Sequence, residues 1–273
     1  MHSLASNSKN TARVELKENE LKAIILAAGK NIRLNSITEL PKSLLRIGDL
    51  CFLDRIIVSC KTHAIHQIVI VVGYKAEEIE RHIEENTDIF GGLHVKTIYN
   101  PEYANKNNLF SFWLAHREMN NPFVLFNSDV LFHPQILQLL LKNVFTSALM
   151  IDDTKNLDQE EMKVIMNEKR LIEDISKKID PLLADGEYIG MAKFFDRKTI
   201  DKILWKCKSF LDCGRINTFY EEALRSLSIE EPSIHGISTN GLPWIEVDTP
   251  QDYEEAKNTT YPKIVADRFL DNS

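Results

Sequence analysis

The stretch LKAIILAAGKNIRL, residues 21–34, opens with a continuous apolar run that closes on two alanines and a glycine. Continuous apolar runs of this length are typical of strands that are buried on both faces of a sheet. Similar runs recur as IVIVVG (68–73), VKTIYN (95–100) and FVLFNSDV (123–130), and helical patterns separate them. Strands that alternate with helices predict an α/β domain, built on a mostly parallel sheet that helices cover.

The remaining patterns complete this organisation. Helices are predicted near residues 51–63, 76–86, 108–119, 134–142, 196–207, 217–226 and 250–257. ALMID, KVIM and YIGMAKFF indicate further strands, and Asn240-Gly241 indicates a turn. We predict a polar tail over residues 1–20, a single domain over 21–260 and a second tail over 261–273.

The composition excludes several classes of protein. With 44% hydrophobic and 27% charged residues, the 273-residue chain has the composition of a folded globular protein rather than a disordered one. Its formal charge of -7 argues against nucleic acid or an anionic membrane as a partner. The four cysteines show no zinc spacing, and no apolar run approaches the ~18 residues of a membrane span. Because the first residues also lack a secretion-type apolar stretch, we predict a cytoplasmic protein.

The turn after the first strand has the composition of a phosphate-binding loop. Small residues and Gly29 let a ligand approach the backbone, whose N–H groups can then bind phosphate oxygens. Arg33 and Lys42 add positive charge beside this loop in an otherwise acidic chain. The Walker pattern and the dinucleotide fingerprint are both absent, since Gly29 is the only glycine of the loop.

LAAGKNIRL followed by PKS resembles the signature loop of the nucleotidyltransferases that activate phosphorylated sugars and alcohols, usually LAAGxGxRL followed by PK. Asn31 stands where that family has its second glycine, and asparagine tolerates positive φ better than most residues. The resemblance implies a Rossmann-like mixed, mostly parallel sheet flanked by helices, of the nucleotide-diphospho-sugar transferase type. It also implies a nucleotide-binding half over residues 21–145 and an acceptor lobe over 146–260. The implied nucleotide contacts are Leu26, Ala27, Ala28, Gly29, Asn31 and Gly73, with Arg33 and Lys42 as catalytic cations.

Acidic residues stand where members of this family hold a metal. Asp129 follows the fourth strand, where open α/β sheets bind ligands, and Glu246 and Asp248 share one face of a late strand. A helix that begins near Pro250 gives Asp248 the alternative role of a capping residue. The resemblance implies that Asp129 and Asp248 hold Mg²⁺ with Glu246 as a third ligand, since Mg²⁺ prefers hard oxygen ligands and substrate phosphates.

The segment YNPEYANKNNLFSFWLA, residues 99–115, bears on the identity of the base. It lacks the Gly-Thr-Ala-type segment of the members that make sugar nucleotides. Asn107, Asn108 and Ser111 instead resemble the NNxxS pattern of bacterial CTP:phosphocholine cytidylyltransferases and their phosphonate-using relatives. Amide and hydroxyl groups can contact the O2, N3 and N4 edge of cytosine, so the resemblance implies CTP. The structural alternative is that Asn108 caps a helix while Ser111 faces solvent.

The second half resembles the acceptor lobe of these cytidylyltransferases in EEMKVIM (160–166), ISKK (175–178) and GEYIGMAKF (186–194). Lysines there can hold an acceptor's phosphate or phosphonate, although a single lysine is more often a solvated surface charge. Tyr220 and Glu221 pair an aromatic face with a carboxylate that can attract an ammonium group, and the alternative is an amphipathic helix with a solvated carboxylate. The acceptor-side residues are Lys163, which is also assigned a catalytic role, with Lys177, Gly190, Lys193, Tyr220 and Glu221.

These expectations combine into one reaction. An acceptor oxygen attacks the α-phosphorus of CTP and pyrophosphate leaves, and positioning with charge neutralisation replaces a general base. No tryptophan lies between Trp113 and Trp205, which favours a primary amine such as 2-aminoethylphosphonate over phosphocholine. The alternatives are the same chemistry on a sugar 1-phosphate or inositol phosphate, and a nucleotide-sensing homologue without turnover. A homo-oligomer is left open.

Overall fold

The computed structural model describes residues 21–30 and 32–270, without the side chains of residues 267–270. The predicted contact of Asn31 and the predicted tail over residues 1–20 therefore lie outside the described residues. The strands are β1 (Lys22–Ala27), β2 (Arg46–Ile47), β3 (Leu50–Cys51), β4 (Gln67–Val72), β5 (His94–Tyr99), β6 (Phe123–Asn127), β7 (Val130–Phe132), β8 (Ser147–Asp152), β9 (Lys163–Met166), β10 (Ile172–Ser176), β11 (Gly186–Phe194), β12 (His235–Ser238) and β13 (Trp244–Glu246). The α-helices are α1 (Phe52–Thr62), α2 (Ala76–Glu85), α3 (Thr87–Phe90), α4 (Asn108–Leu114), α5 (Pro134–Lys142), α6 (Arg197–Asp212), α7 (Glu221–Glu230), α8 (Pro250–Glu255) and α9 (Tyr261–Leu270).

One mixed sheet forms the centre of the described structure. Its strand order is β10-β9-β11-β6-β1-β4-β5, with β8 beside β11 and β12 beside β8. β1 is parallel to both β4 and β6, and β5 is parallel to β4. β11 runs antiparallel to β6 and joins the strands of the second half to this parallel core. The predicted mixed α/β sheet is therefore confirmed, and the second half extends the same sheet.

The first strand shows why the apolar run is continuous. Ile24 and Ile25 point to opposite faces of the sheet and are both fully buried. One face packs against α1, α2 and α5, and the other against α4, α6 and α7. Burying one such side chain stabilises the fold by roughly 1.5–3 kcal/mol. Both faces of β1 therefore help to hold the helices against the sheet.

A smaller apolar cluster holds the C-terminal helices against the loop that follows β1. It includes Leu34, Leu45, Val247 and Ile264. The segment assigned to a C-terminal tail is therefore helical as far as Leu270 in the described structure, and Ile264 is buried. None of the helices among the described residues combines the length and the apolar character that a membrane span needs.

Several elements differ from the sequence-based expectation, and two of them belong to the acceptor half. Strand β10 was not predicted, although it pairs with β9 at the edge of the sheet. Helix α7 begins at Glu221 rather than near residue 217. The reason lies in the backbone of residues 216–218, whose carbonyl groups accept hydrogen bonds from Asn107 and Leu109 at the start of α4. Those tertiary contacts keep the segment out of the helix, which begins after Tyr220.

Candidate active site

A cleft of about 480 Å³ opens beside the carboxyl ends of β1 and β6, within the usual range for ligand pockets of about 300–1,000 Å³. Its walls come from both halves of the chain. The nucleotide half contributes Leu26, Ala27, Ala28 and Gly29, so this part of the predicted site lines the cleft. A Cβ added to Gly29 meets nothing within 4 Å, because the backbone there faces open space that a ligand can occupy.

Three carboxylates meet in this cleft because two short strands pair. β13 runs antiparallel to β7, which places Glu246 opposite Val130, and the amide of Val247 donates to the carbonyl of Asp129 at 3.0 Å. Carboxylate oxygens of Asp129, Glu246 and Asp248 consequently lie within 4.8 Å of one another. The cap of α8 is Thr249, whose side chain accepts from the amide of Asp252, so the alternative capping role does not fall to Asp248.

Two cations face these carboxylates. The Lys42 ammonium lies 2.9 Å from Oδ2 of Asp129 and also contacts Oδ1 of Asp248. The Arg33 guanidinium lies 2.5 Å from Oδ2 of Asp248. Burial disfavours the charge on Asp248, yet Lys42 and Arg33 outweigh it and hold the pKa of Asp248 below its ordinary value. Burial likewise opposes the charge of Lys42, but Asp129 and Asp248 raise the pKa of its ammonium.

The donor set fits Mg²⁺. Oδ1 of Asp129 is buried and has no hydrogen-bond partner among the described residues, which leaves one hard oxygen ready for a cation. Glu246 lines the cleft. Partial desolvation there, together with the charges of Asp129 and Asp248, raises its pKa to about 8. A divalent cation beside three carboxylates would relieve that repulsion.

The predicted base-contacting residues all line the cleft, with structural roles that the sequence did not resolve. Asn107, not Asn108, caps α4 by accepting from the amide of Asn108 at 2.8 Å. Asn108 accepts from the amide of Tyr220 at 2.9 Å and so joins the two halves of the chain. Ser111 is buried rather than solvent-facing, and its hydroxyl accepts from the amide group of Asn100 at 2.9 Å.

Glu221 lies in the acceptor-side wall of the cleft. Its side chain is buried, and Oε2 has no hydrogen-bond partner among the described residues. Burial raises its pKa to about 7, and the nearby polar groups of Tyr220 and Asn108 offset this rise only in part. The alternative of a solvated carboxylate on a helix surface is therefore wrong. A buried carboxylate with an unpaired oxygen is suited to a cationic ligand.

Lys177 and Gly190 also line the cleft, as predicted. Gly190 has a φ of +77°, and a Cβ there would lie 2.7 Å from Nδ2 of Asn127. Glycine is needed because β11 passes directly against Asn127, two residues before Asp129. A larger residue would displace the segment that carries a carboxylate of the candidate metal site.

Two predicted lysines lie outside the cleft, which corrects their assignment to the site. Lys163 is fully buried, and its ammonium donates to the carbonyls of Asp158, Gln159 and Glu161 at 2.9–3.2 Å. Lys193 is 1% exposed, and its ammonium donates to the carbonyl of Asn143 at the end of α5. Both lysines sit on strands whose side chains alternate in direction, and their ammonium groups satisfy local backbone oxygens instead of a ligand.

Tyr220 and Gly73 support the cleft without lining it. Tyr220 is fully buried, stacks on Phe112 and pairs its hydroxyl with that of Tyr188 at 2.9 Å. A Cβ on Gly73 would lie 2.6 Å from Cβ of Tyr103 and 2.7 Å from the carbonyl of Ala28. Gly73 therefore lets Tyr103 and the loop after β1 pack together. Neither Gly73 nor Tyr220 lines the cleft, which corrects the predicted ligand contacts of these two residues.

Several lining residues were not predicted from the sequence. Asn127 belongs to the same FVLFNSDV run as Asp129, so its position at the strand end was a usable signal. Lys30 and Ser43 lie inside the LAAGKNIRL and PKS stretches, which were a usable signal as well. Other lining residues have no motif that separates them from ordinary surface or core residues, and they include Tyr103, Met162, Tyr188, Asn217 and Phe219.

A second cluster of polar groups lies outside the cleft. The thiol of Cys51 lies 3.6 Å from Nε2 of His82, and the same nitrogen lies 2.6 Å from Oδ1 of Asp54. Burial and the charge of Asp54 raise the pKa of the Cys51 thiol to about 12. Cys51 and Asp54 also form the capping box of α1. These contacts fix α2 against the start of α1 and leave the thiol unreactive.

Comparisons with known proteins identify relatives of this chain. A family model described as a MobA-like NTP transferase domain matches residues 23–177. The choline-phosphate cytidylyltransferase of Streptococcus pneumoniae (strain ATCC BAA-255 / R6) is 28% identical over 243 residues, covering 86% of this chain and 96% of that protein. The bifunctional protein GlmU of Methanococcus aeolicus is 27% identical over 252 residues, which cover 90% of this chain but about half, 56%, of that protein.

A solved structure shows the same fold. The inositol-1-phosphate CTP transferase from T. maritima superimposes with a TM-score of 0.74 at 21% identity, covering 89% of this chain and 94% of that one. The Rossmann-like mixed sheet predicted from the sequence is therefore confirmed.

Proposed function

This chain belongs to the MobA-like NTP transferase domain family, and from that premise we propose that it is a Mg²⁺-dependent cytidylyltransferase. It transfers CMP from CTP to a small phosphorylated or phosphonate amino-alcohol and releases pyrophosphate. The broader class, a nucleotidyltransferase, is confirmed by the family match and the curated relatives. We further propose that the protein is cytoplasmic, with a nucleotide-binding half over residues 21–145 and an acceptor lobe over 146–260.

One observation carries the proposal. Asp129, Glu246 and Asp248 meet Lys42 and Arg33 in the cleft beside the loop after β1. Carboxylates for a divalent cation thus lie next to cations and backbone that suit a polyphosphate. A purely structural ion-pair network does not need a cleft of about 480 Å³ or a buried carboxylate oxygen without a partner.

The residues of the cleft have distinct roles in the proposed reaction. Arg33, Lys42 and the backbone after β1 bind the triphosphate and stabilise the departing pyrophosphate. Mg²⁺ held by Asp129, Asp248 and Glu246 would neutralise charge at the transferred phosphoryl group. Lys177 holds the acceptor's phosphate or phosphonate, whose ionised oxygen is aligned with the α-phosphorus and needs no base. Catalysis by this chain is then positioning and charge neutralisation.

The cytosine preference rests on the polar wall formed by Asn107, Asn108 and Ser111. Oδ1 of Asn107 caps α4 and Oδ1 of Asn108 accepts from Tyr220, so the NH₂ groups of these two side chains are what they offer the base. The choline-phosphate cytidylyltransferase of S. pneumoniae, which matches 86% of this chain, supports CTP as the nucleotide.

The amine of the acceptor is assigned to Glu221. An ammonium group placed against Oε2 completes the bonding of that buried oxygen and restores its negative charge. A primary ammonium can donate a hydrogen bond to this oxygen, whereas a trimethylammonium cannot. The proposal therefore favours a primary amine such as 2-aminoethylphosphonate over phosphocholine.

The test is Mg²⁺-dependent pyrophosphate release by the full chain with CTP, UTP, dTTP, ATP or GTP, each with a set of separate acceptors. The set holds 2-aminoethylphosphonate, phosphoethanolamine, phosphocholine, inositol 1-phosphate and several sugar 1-phosphates. We expect release with CTP and a primary amine. Release only with UTP or dTTP and a sugar phosphate would overturn both specificities, and CTP binding without any release would support the nucleotide-sensing alternative.

A further inference from the structure

One lysine of the cleft lies among the carboxylates of the candidate metal site. The Lys42 ammonium contacts Oδ2 of Asp129 at 2.9 Å and Oδ1 of Asp248 at the same time. The second oxygen of Asp248 is taken by Arg33. Two of the three carboxylates that the proposed function assigns to Mg²⁺ are thus already paired with cations of the chain itself.

Resting on that proposed function, we propose that Lys42 competes with the divalent cation for Asp129 and Asp248, so that the metal binds tightly only after a triphosphate has drawn Lys42 away. The ammonium and the metal repel each other there, because Mg²⁺ needs its ligand oxygens at about 2.0–2.1 Å and Lys42 already contacts Asp129 and Asp248. The nucleotide-free site therefore binds the cation weakly.

Burial makes this competition effective. The side chains of Lys42, Asp129 and Asp248 are 17%, 22% and 26% exposed, so solvent screens their attraction only in part. A cation that binds without nucleotide displaces the Lys42 ammonium from its two anionic partners. The ammonium then stays in the partly buried cleft without an opposite charge, which is unfavourable. A triphosphate removes that obstacle, because its oxygens offer the ammonium new anionic partners in the same cleft.

The backbone at Lys42 is held by packing on its C-terminal side. Lys42 begins a short 3-10 turn after Pro41, and the next residues, Ser43 and Leu44, are buried. The four-carbon side chain is the flexible element, so its ammonium can exchange carboxylate for phosphate while the backbone stays fixed. Lysine suits this exchange because its ammonium is a compact charge without the fixed planar geometry of a guanidinium.

The experiment measures Mn²⁺ binding to the nucleotide-free full chain by electron paramagnetic resonance, with Mn²⁺ as the probe. We expect Lys42→Met to bind Mn²⁺ about tenfold or more tightly than the unaltered chain. Lys30→Met is the matched control, since Lys30 lines the same cleft but its ammonium lies over the Tyr103 ring. It should bind Mn²⁺ like the unaltered chain. Equal or weaker binding by Lys42→Met overturns the inference.

A measurement on the unaltered chain covers the case in which Lys42→Met does not fold. Acetylation of lysines, followed residue by residue with mass spectrometry, should label Lys42 several-fold faster once Mn²⁺ saturates the nucleotide-free protein. Unchanged labelling of Lys42 overturns the inference, and Lys30 again serves as the control. Neither readout requires turnover, so an inactive chain with the expected Mn²⁺ binding contradicts the proposed function alone.

Discussion

The two halves of the cleft differ in how their lysines are used. In the nucleotide half, Lys42 faces two carboxylates in the cleft. In the acceptor half, Lys177 faces the cleft, whereas Lys163 and Lys193 are buried against backbone carbonyls. The first half sets its charges on loops at the ends of parallel strands, where a ligand reaches them. The second half uses most of its buried lysines to hold loops and helix ends in place, so lysine alone is a poor marker of an acceptor site.

The largest expected effect is at Asp129, the carboxylate that the nucleotide half contributes to the candidate metal site. Asp129→Asn keeps the shape of the side chain but removes the charge and the metal-binding strength, so kcat should fall on the order of 10³-fold. Steady-state pyrophosphate release measures this loss. Asp153→Asn, which changes a carboxylate paired with Arg170, is the control and should stay near full activity. Turnover by Asp129→Asn within a few-fold of normal would remove Asp129 from the metal site.

The next effect separates the lysines of the acceptor half. Lys177→Met should lower kcat/KM for the acceptor by about 10²-fold, because it removes a cation beside the acceptor's phosphate or phosphonate. Lys163→Met should instead destabilise the fold by about 1–3 kcal/mol, since three carbonyls lose their buried donor. Urea unfolding and acceptor kinetics on both variants test the contrast. If Lys163→Met lowered kcat/KM more than Lys177→Met did, with an unchanged free energy of unfolding, Lys163 would belong to the acceptor site.

A smaller, pH-dependent effect is expected at Glu221. Its pKa is raised to about 7, so the carboxyl group is neutral below that pH and attracts an ammonium group above it. The kcat/KM of an amine acceptor, divided by that of Glu221→Gln at the same pH, should rise about tenfold as the pH increases from 6 to 8. The ratio cancels the acceptor's own titration. A ratio that does not change with pH would show that Glu221 does not recognise the amine.

The smallest effect on activity is expected at Lys193. Burial lowers its pKa to about 8, against an ordinary value of 10.5, so between these pH values the unfolded chain binds more protons than the folded one. The contribution of Lys193 to stability should therefore rise with pH from about 8 to about 10.5. Urea unfolding of the unaltered chain and Lys193→Met across this window measures the difference. CTP-dependent turnover by Lys193→Met should stay near normal at pH 7.

Much of the nucleotide half could be predicted because its signals are local. The apolar run of β1, the glycine after it and Asp129 at a strand end each follow from short-range sequence rules. The acceptor half was less predictable, because Lys163 and Lys193 lie in matching segments but their ammonium groups point to backbone carbonyls. Strand pairing sets the direction of these side chains, and residue type does not reveal it.

The sequence by itself determined the alternating strands and helices, the small-residue loop after β1 and which carboxylates and cations were candidates for the cleft. Apolar periodicity and turn chemistry act over a few residues, so they can be read along the chain. Only the tertiary structure decided that β13 pairs with β7 and brings Glu246 and Asp248 to Asp129, and that Asn108 bonds across to Tyr220. Contacts between residues more than a hundred positions apart depend on how whole layers pack, and no local pattern encodes them.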